Sequence, residues 1–296
     1  MTIRRTLGDA TARLAAAGVP NSAYDAQAML AHVLGEDRLR MRAEADREVP
    51  QEAAECYGAM LARRERREPL QYILGETEFM GLVFHVEPGV LIPRFDTEVL
   101  CEEALRRLAG KRHRVLDIGT GSGAIAVSIA RLAPACEVTA VDISEDALRV
   151  ARGNAAANGV QVRFVRSDCL DAVRGETFDM ILSNPPYIDD EEMGTLMPEV
   201  LCEPELALHG GTDGLDFYRR ISREARGCLA PGGCLIFEIG WKQKEAVEAL
   251  LREAIGDPFA LRDYGNNWRV VGAVLPAVGG SSLPCGEEAA TLEGNG

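Results

Sequence analysis

Over the first 68 residues apolar positions recur every three or four places, the period of helices with one buried face. The pattern breaks at Gly18-Val19-Pro20, Gly35 and Val49-Pro50. In NSAYDAQAMLAHVLG the apolar face runs through Ala26, Met29, Leu30 and Val33, with Asn21 or Ser22 placed to cap the start and Gly35 to end the helix. Pro50 suits the start of another helix. A small helical bundle is expected over residues 1–75. The segment EFMGLVFHVEPGVLIP then alternates apolar and polar residues around Gly81 and Pro88-Gly89, which predicts a β-hairpin linker over residues 76–93.

From Arg114 short β-rich runs alternate with helical stretches: RVLDIG, EVTAVDI, VRFVRSD, FDMILSN and GGCLIFEIG. Such a rhythm predicts an α/β domain, residues 94–276, built on a mostly parallel sheet whose ligands bind beyond the carboxyl ends of the strands. FALRDYGNNWRVVGAVL reads as two closing strands, an antiparallel pair at an edge. After Pro276 the chain is small, polar and unpatterned, so residues 277–296 are expected to be a disordered tail.

Composition narrows the class. With 296 residues and 47% hydrophobic content the chain can build one large domain and a small one. No apolar run approaches the roughly 18 residues of a membrane span, and the N-terminus lacks a signal-peptide apolar region, so a cytoplasmic protein without membrane partners is expected. The eight cysteines, at 56, 101, 136, 169, 202, 228, 234 and 285, form no CxxC pair and read as reduced core residues. His32, His85, His113 and His209 show no metal-ligand spacing, so no metal is expected. A net charge of −14 argues against general attraction to nucleic acid. Against that acidity stands Arg63-Arg64-Glu65-Arg66-Arg67, which reads as a solvated helix end or as a contact for a partner.

The candidate chemistry lies at the ends of the predicted strands. The first ends in DIGTGSG and runs into the helix AIAVSIARL, so Gly119, Thr120, Gly121, Ser122 and Gly123 can bring backbone N–H groups and a helix N-terminus to an anionic ligand. Taken alone, the loop suits a nicotinamide as well as S-adenosylmethionine. Asp142 closes the second strand where a carboxylate can accept both ribose hydroxyls, since Ser144 is left to cap the next helix. Asp168, ending the third, is placed to reach an adenine amino group or to cap a loop.

The fourth strand stops at Asn184-Pro185-Pro186-Tyr187. Two prolines cannot continue a central strand, and each pushes the residue before it into extended geometry. The stretch resembles the (D/N)PP(Y/F/W) motif of amino-methyltransferases, which use S-adenosylmethionine to methylate planar nitrogens. Asn184 Oδ1 and the Pro185 carbonyl can accept the two N–H bonds of a substrate NH₂, and Tyr187 can stack on its plane. The motif leaves adenine in DNA, guanine or adenine in RNA, and protein glutamine as alternatives.

The resemblance extends further. PLQYILGETEFMGLVFHVEPGVLIPR, DIGTGSGAIA, SNPPYI and EPELALHGGTDGLDFYR look like the HemK/PrmC family, which methylates N5 of the glutamine in the Gly-Gly-Gln loop of class 1 peptide chain release factors. That resemblance implies a Rossmann-like, seven-stranded class I methyltransferase domain behind a helical domain that docks the release factor. It implies S-adenosyl-L-methionine as cofactor and S-adenosyl-L-homocysteine as product, with no direct nucleic-acid partner. Gly119 to Gly123, Asp142, Asp168, Cys169 and Asn184 would hold the cofactor. Asn184, Pro185, Pro186 and Tyr187 would hold the glutamine, with Asn184, Pro185 and Tyr187 catalytic. Two departures stand out: PRFDTE replaces the usual PRPETE, and Cys169 stands where a larger apolar residue often meets the adenine, which would loosen cofactor binding.

Overall fold

The helical period of the N-terminal residues becomes five helices in the computed structural model, which describes residues 1–277. The structure divides into two units, Met1–Pro93 with Glu191–Leu208, and Arg94–Asp190 with the chain from His209 onward. The tail expected to be disordered lies, but for Ala277, outside the described residues.

In the first unit Thr2 caps α1 (Ile3–Ala16) by accepting from the Arg5 amide. Its apolar stripe of Ile3, Ala10 and Leu14 shares one core with Ala26, Met29 and Leu30 of α2 (Ser22–Leu34). Asn21 occupies the cap position of α2 but makes no side-chain capping bond, whereas Gly35 ends that helix at φ 63°. Then come α3 (Arg38–Ala43), α4 (Gln51–Glu65), which follows Pro50, and α5 (Leu70–Leu74). Strands β1 (Glu76–Phe79) and β2 (Leu82–His85) pair antiparallel. Their turn, Met80-Gly81, takes positive φ at both residues, the twist that two-residue hairpins favour.

The second unit opens with a 3-10 turn at Phe95–Thr97 and α6 (Glu98–Leu108). There follow β3 (Arg114–Ile118), α7 (Ala124–Leu132), β4 (Glu137–Asp142), α8 (Glu145–Ala157), β5 (Arg163–Arg166) and β6 (Phe178–Ser183). After the short α9 (Asp190–Met193), most of which belongs to the first unit, come α10 (Asp216–Ala225), β7 (Leu229–Glu238), α11 (Lys244–Ala254), β8 (Pro258–Arg262) and β9 (Trp268–Val274). The seven strands are ordered β5-β4-β3-β6-β7-β9-β8, parallel from β5 to β7, with β9 antiparallel to both its neighbours and β8 at the edge. Central strands buried on both sides, such as FDMILS, carry the continuous apolar runs that such burial requires.

One boundary differs from the sequence expectation. Residues Glu191–Leu208, read as part of the α/β domain, pack with the helical unit instead. Glu199 and Glu203 tie them there: the Glu199 carboxylate receives Arg64 Nη2 at 2.9 Å and both Nε and Nη2 of Arg67 at 2.6 Å, and Glu203 accepts from the Ile92 amide at 3.0 Å. Arg64, 5% exposed, also reaches Asp25 at 2.7 Å, and Arg63 grips Glu68. The arginine run is therefore neither a solvated helix end nor an open docking surface, since three of its four arginines are committed inside the unit. Arg64 and Arg67 share a partner more than a hundred residues away in sequence, which the local pattern does not announce.

Candidate active site

Chain order reverses between β3 and β6: the chain runs outward from β3 through β4 to β5, then returns to β6 on the other side of β3. A crevice at such a switch point is the usual ligand site of a doubly wound sheet. Ile118 and Ser183 are register partners at the ends of these two strands, and Ser183 Oγ donates to the Ile118 carbonyl at 2.8 Å. The glycine loop and the NPPY stretch thus leave the sheet side by side.

Gly119, Gly121 and Gly123 all have positive φ, at 72°, 55° and 85°. A Cβ at Gly123 would sit 3.0 Å from Ala151, whereas Cβ atoms at Gly119 and Gly121 would meet nothing within 4 Å. The first case is close packing of helix against loop, and the second is a cradle facing open space. Beneath the loop Asp117, fully buried, accepts from Thr120 Oγ1 at 2.6 Å. Burial pushes its carboxyl up to about 7, against the pull of Thr120 and the Ala126 amide. Asp142 braces the loop from the next strand, accepting from the Gly121 amide with one oxygen and the Ser144 amide with the other, both at 2.9 Å. Each oxygen keeps a lone pair for a further donor such as a ribose hydroxyl. Burial, the largest influence, raises the Asp142 pKa despite those amides. Ser144 caps α8, as expected.

On the other side of the crevice Asn184 is half-buried and Pro185 buried, with trans peptides throughout. The backbone that follows is clamped from three directions. Gln243 Nε2 donates to the Tyr187 carbonyl at 3.0 Å and the Gly214 carbonyl at 3.2 Å, while its Oε1 accepts from the Gly240 amide at 3.0 Å. The Gly210 amide donates to the Ile188 carbonyl at 2.9 Å. A Cβ at Gly210 would fall 2.7 Å from the Pro186 oxygen, and one at Gly214 2.3 Å from the Tyr187 oxygen. Gly210 and Gly214 of HGGTDG are therefore required by close backbone approach to NPPY, whereas a Cβ at Gly211 would meet the Asp216 side chain. Behind the motif, Asn184 Nδ2 lies 3.3 Å from Thr97 Oγ1, and the Tyr218 hydroxyl donates to the Glu238 carbonyl. The Tyr187 phenol is pushed above its usual range by burial and by the nearby charge of Glu238.

The remaining expectations meet the structure unevenly. Asp168 follows β5, one strand beyond Asp142, and its carboxylate is held by Arg220 at 2.6 Å. Cys169, at φ 47°, is buried among Leu170, Val173 and Phe178, and burial pushes its thiol up to about 11. Gln243, Thr97 and Glu238 went unnoticed in the sequence, because each acts through a tertiary contact that local spacing does not announce. A cavity of about 710 Å³ lies at the opposite ends of β3 to β5, lined by Arg114, Arg131 and Arg163 among others, and Arg114 and Arg163 are both bound by Glu176. Among the described residues no group of three or more metal-ligating side chains gathers, and no helix is long and apolar enough to cross a membrane.

The chain is similar to known proteins along nearly its whole described length. The family model of the methyltransferase small domain matches residues 94–211, and that of the PrmC N-terminal domain matches residues 6–75. The release factor glutamine methyltransferase of Geobacter sulfurreducens is 45% identical over 274 residues, covering 92% of this chain and 96% of that protein. The protein of the same description from Cereibacter sphaeroides is 46% identical, covering 90% and 96%, and that of Escherichia coli 38%, covering 91% and 98%. Among solved structures, a methyltransferase from Pyrococcus furiosus aligns with TM-score 0.50 at 23% identity, over 67% of this chain and 90% of its own. A Thermus thermophilus 16S rRNA methyltransferase in complex with AdoMet and guanosine aligns with TM-score 0.51 at 24%, over 68% and 49%. At those identities the likeness speaks for the α/β methyltransferase fold alone.

Proposed function

Because the chain belongs to the release factor glutamine methyltransferase family, we propose that the β3/β6 crevice transfers a methyl group from S-adenosyl-L-methionine to a release factor glutamine, at N5 of its Gly-Gly-Gln loop. The observation that carries this reading is the placement of Asn184-Pro185 directly beside the open glycine cradle. The cradle fits the cofactor: Gly119 and Gly121 leave room at the backbone, and Asp142 retains acceptor capacity for the ribose. Asp168, one strand beyond Asp142, would serve the adenine in this reading, with its carboxylate steadied by Arg220. When bound, S-adenosyl-L-methionine supplies a methyl group made electrophilic by the sulfonium, and leaves as S-adenosyl-L-homocysteine.

The chain's own residues address the weakness of the nucleophile. An amide nitrogen shares its lone pair with the carbonyl, a delocalisation expressed in a rotational barrier of about 18–20 kcal/mol. Asn184 Oδ1 and the Pro185 carbonyl accept the two N–H bonds, which fixes the NH₂ and turns its remaining lobe toward the methyl group. Prolines after both residues hold their backbone extended, which keeps the Pro185 carbonyl from swinging away. Positioning of this kind is worth up to about 7–11 kcal/mol of barrier. Tyr187 offers its ring to the amide plane, and an aromatic face near a sulfonium adds roughly 0.5–2 kcal/mol. The nitrogen gains a carbon and releases one proton, which leaves without a side-chain base because an N-alkylated, N-protonated amide is strongly acidic.

The partner in this reading is a class 1 release factor, and a cytoplasmic location goes with it. The alternative, an amino group of DNA or rRNA, shares the NPPY site but is not favoured by the relatives covering nine-tenths of the chain. Mass spectrometry of a co-expressed release factor should find one added methyl on the Gly-Gly-Gln glutamine. With Asn184→Ala that methyl should vanish while S-adenosylmethionine affinity stays within about tenfold. Equal loss of cofactor binding, or methyl groups found on nucleic acid and none on release factor, would overturn the reading.

A further inference from the structure

The role of Asn184 depends on which way round its amide sits. One end is an acceptor and the other a double donor, and only the hydrogen-bond network decides which faces the crevice. Asn184 Nδ2 lies 3.3 Å from Thr97 Oγ1. The Thr97 hydroxyl in turn makes a side-chain hydrogen bond to Glu238. Thr97 is 4% exposed and Glu238 1%, and the second carboxylate oxygen, Oε2, has no hydrogen-bond partner among the described residues. Glu238 ends β7 one residue beyond Phe237, the register partner of Ser183, so the relay stands directly beside Asn184.

A hydroxyl carries one proton. A carboxylate can only accept, so that proton goes to Glu238, and the Thr97 oxygen is left to accept from Asn184. Nδ2 must then face Thr97, and Oδ1 is the end left over for a ligand. We infer that Thr97 and Glu238 are positioning residues, which hold the Asn184 amide with Oδ1 presented to the substrate nitrogen. The inference rests on the reading of Asn184 as an acceptor for that nitrogen.

The relay has a direction that a proton can reverse. A protonated Glu238 can donate to Thr97, whose proton then points at Asn184 and favours Oδ1 on the wrong side. Burial pushes Glu238 up to about 7, with Thr97, Arg269 and Arg94 pulling down and Asp96 pushing up. Tyr187, Tyr218 and Cys101 also face its charge.

The test uses the full chain, a release factor and labelled cofactor, with Thr97→Val, Thr97→Ser, Glu238→Gln and Asn184→Ala. Thr97→Val should lower kcat about 10- to 100-fold, with KM for release factor and cofactor affinity within about threefold. Thr97→Ser, which restores the hydroxyl, should return kcat to within about threefold of the parent. The parent's kcat should rise as pH passes upward through about 7, and Glu238→Gln should lose that step. Parental kcat in Thr97→Val, no rescue by serine, or an unchanged pH step in Glu238→Gln overturns the inference. Should Thr97→Val not fold, Thr97→Ser and the pH profiles of the parent and Glu238→Gln decide it. Full activity in Asn184→Ala would remove instead the functional reading beneath it.

Discussion

Buried charge is handled in two ways in this molecule. Around Arg64 in the helical unit, Asp25 and Glu199 meet arginines in near-ideal geometry. Burial would raise the Glu199 pKa, but Arg67 and Arg64 overcome it and the carboxyl falls to about 2. At the carboxyl ends of β3 and β7, Asp117 and Glu238 are buried as deeply, yet what reaches them is mostly hydroxyl and backbone N–H, and both are pushed up to about 7. The first arrangement fastens Glu191–Leu208 to its unit. The second holds unpaired acids under the site, where their protons can matter to chemistry.

The largest effect is expected from breaking the paired side. Arg64→Ala leaves Asp25, 5% exposed, without its guanidinium and takes one of two arginines from Glu199. Stranding a buried charge costs about 3–5 kcal/mol. Both tryptophans, Trp241 and Trp268, belong to the second unit, so their fluorescence should report its unfolding while far-UV ellipticity reports both. In urea the variant should lose ellipticity well before tryptophan fluorescence changes. Coincident transitions, or an unshifted one, would mean that the cluster does not hold this unit as described.

That cluster also marks where the sequence stopped being legible. Strand ends, the glycine loop, Asp142 and NPPY could be read because backbone geometry writes itself locally: glycine where φ must be positive, proline where extension must be fixed. The roles of Arg64, Gln243 and Thr97 are written in pairs of residues far apart along the chain. Glu199 stands in an unremarked stretch, MPEVLC, and nothing in the local pattern says that it completes an arginine run 132 residues earlier. Likewise HGGTDG declares flexible backbone, but only the structure shows why: a Cβ at Gly210 or Gly214 would collide with the Pro186 or Tyr187 backbone.

A middle-sized effect should come from the unpaired side, with the opposite sign in pH. Glu238 and Asp117 bind their protons more tightly folded than unfolded, so their contribution to stability is complete below about 4 and is lost as pH rises through about 7. Glu199 does the reverse: its contribution is present above about 4.5 and fades as pH falls toward 2. Glu238→Gln removes the need to bury a charge at high pH. It should be more stable than the parent by about 3 kcal/mol at pH 8, with most of the advantage gone at pH 5, measured by urea unfolding followed at the tryptophans. An advantage that persists undiminished at pH 5 would trace to packing rather than to the proton.

The smallest effect is the control that gives the comparison its meaning. Arg4 and Asp46 also form a two-point ion pair, at 3.1 and 3.3 Å, but with side chains 68% and 83% exposed. The Asp46 pKa is still drawn down, chiefly by its hydrogen bond to Arg4, so the pair exists electrostatically. In water, however, solvent takes over either partner when the other leaves, and screening removes most of the attraction. Arg4→Ala should therefore leave the urea transition where the parent has it. A loss comparable to that of Arg64→Ala would show that contact alone, and not the removal of both charges from water, is what makes the Glu199 cluster matter.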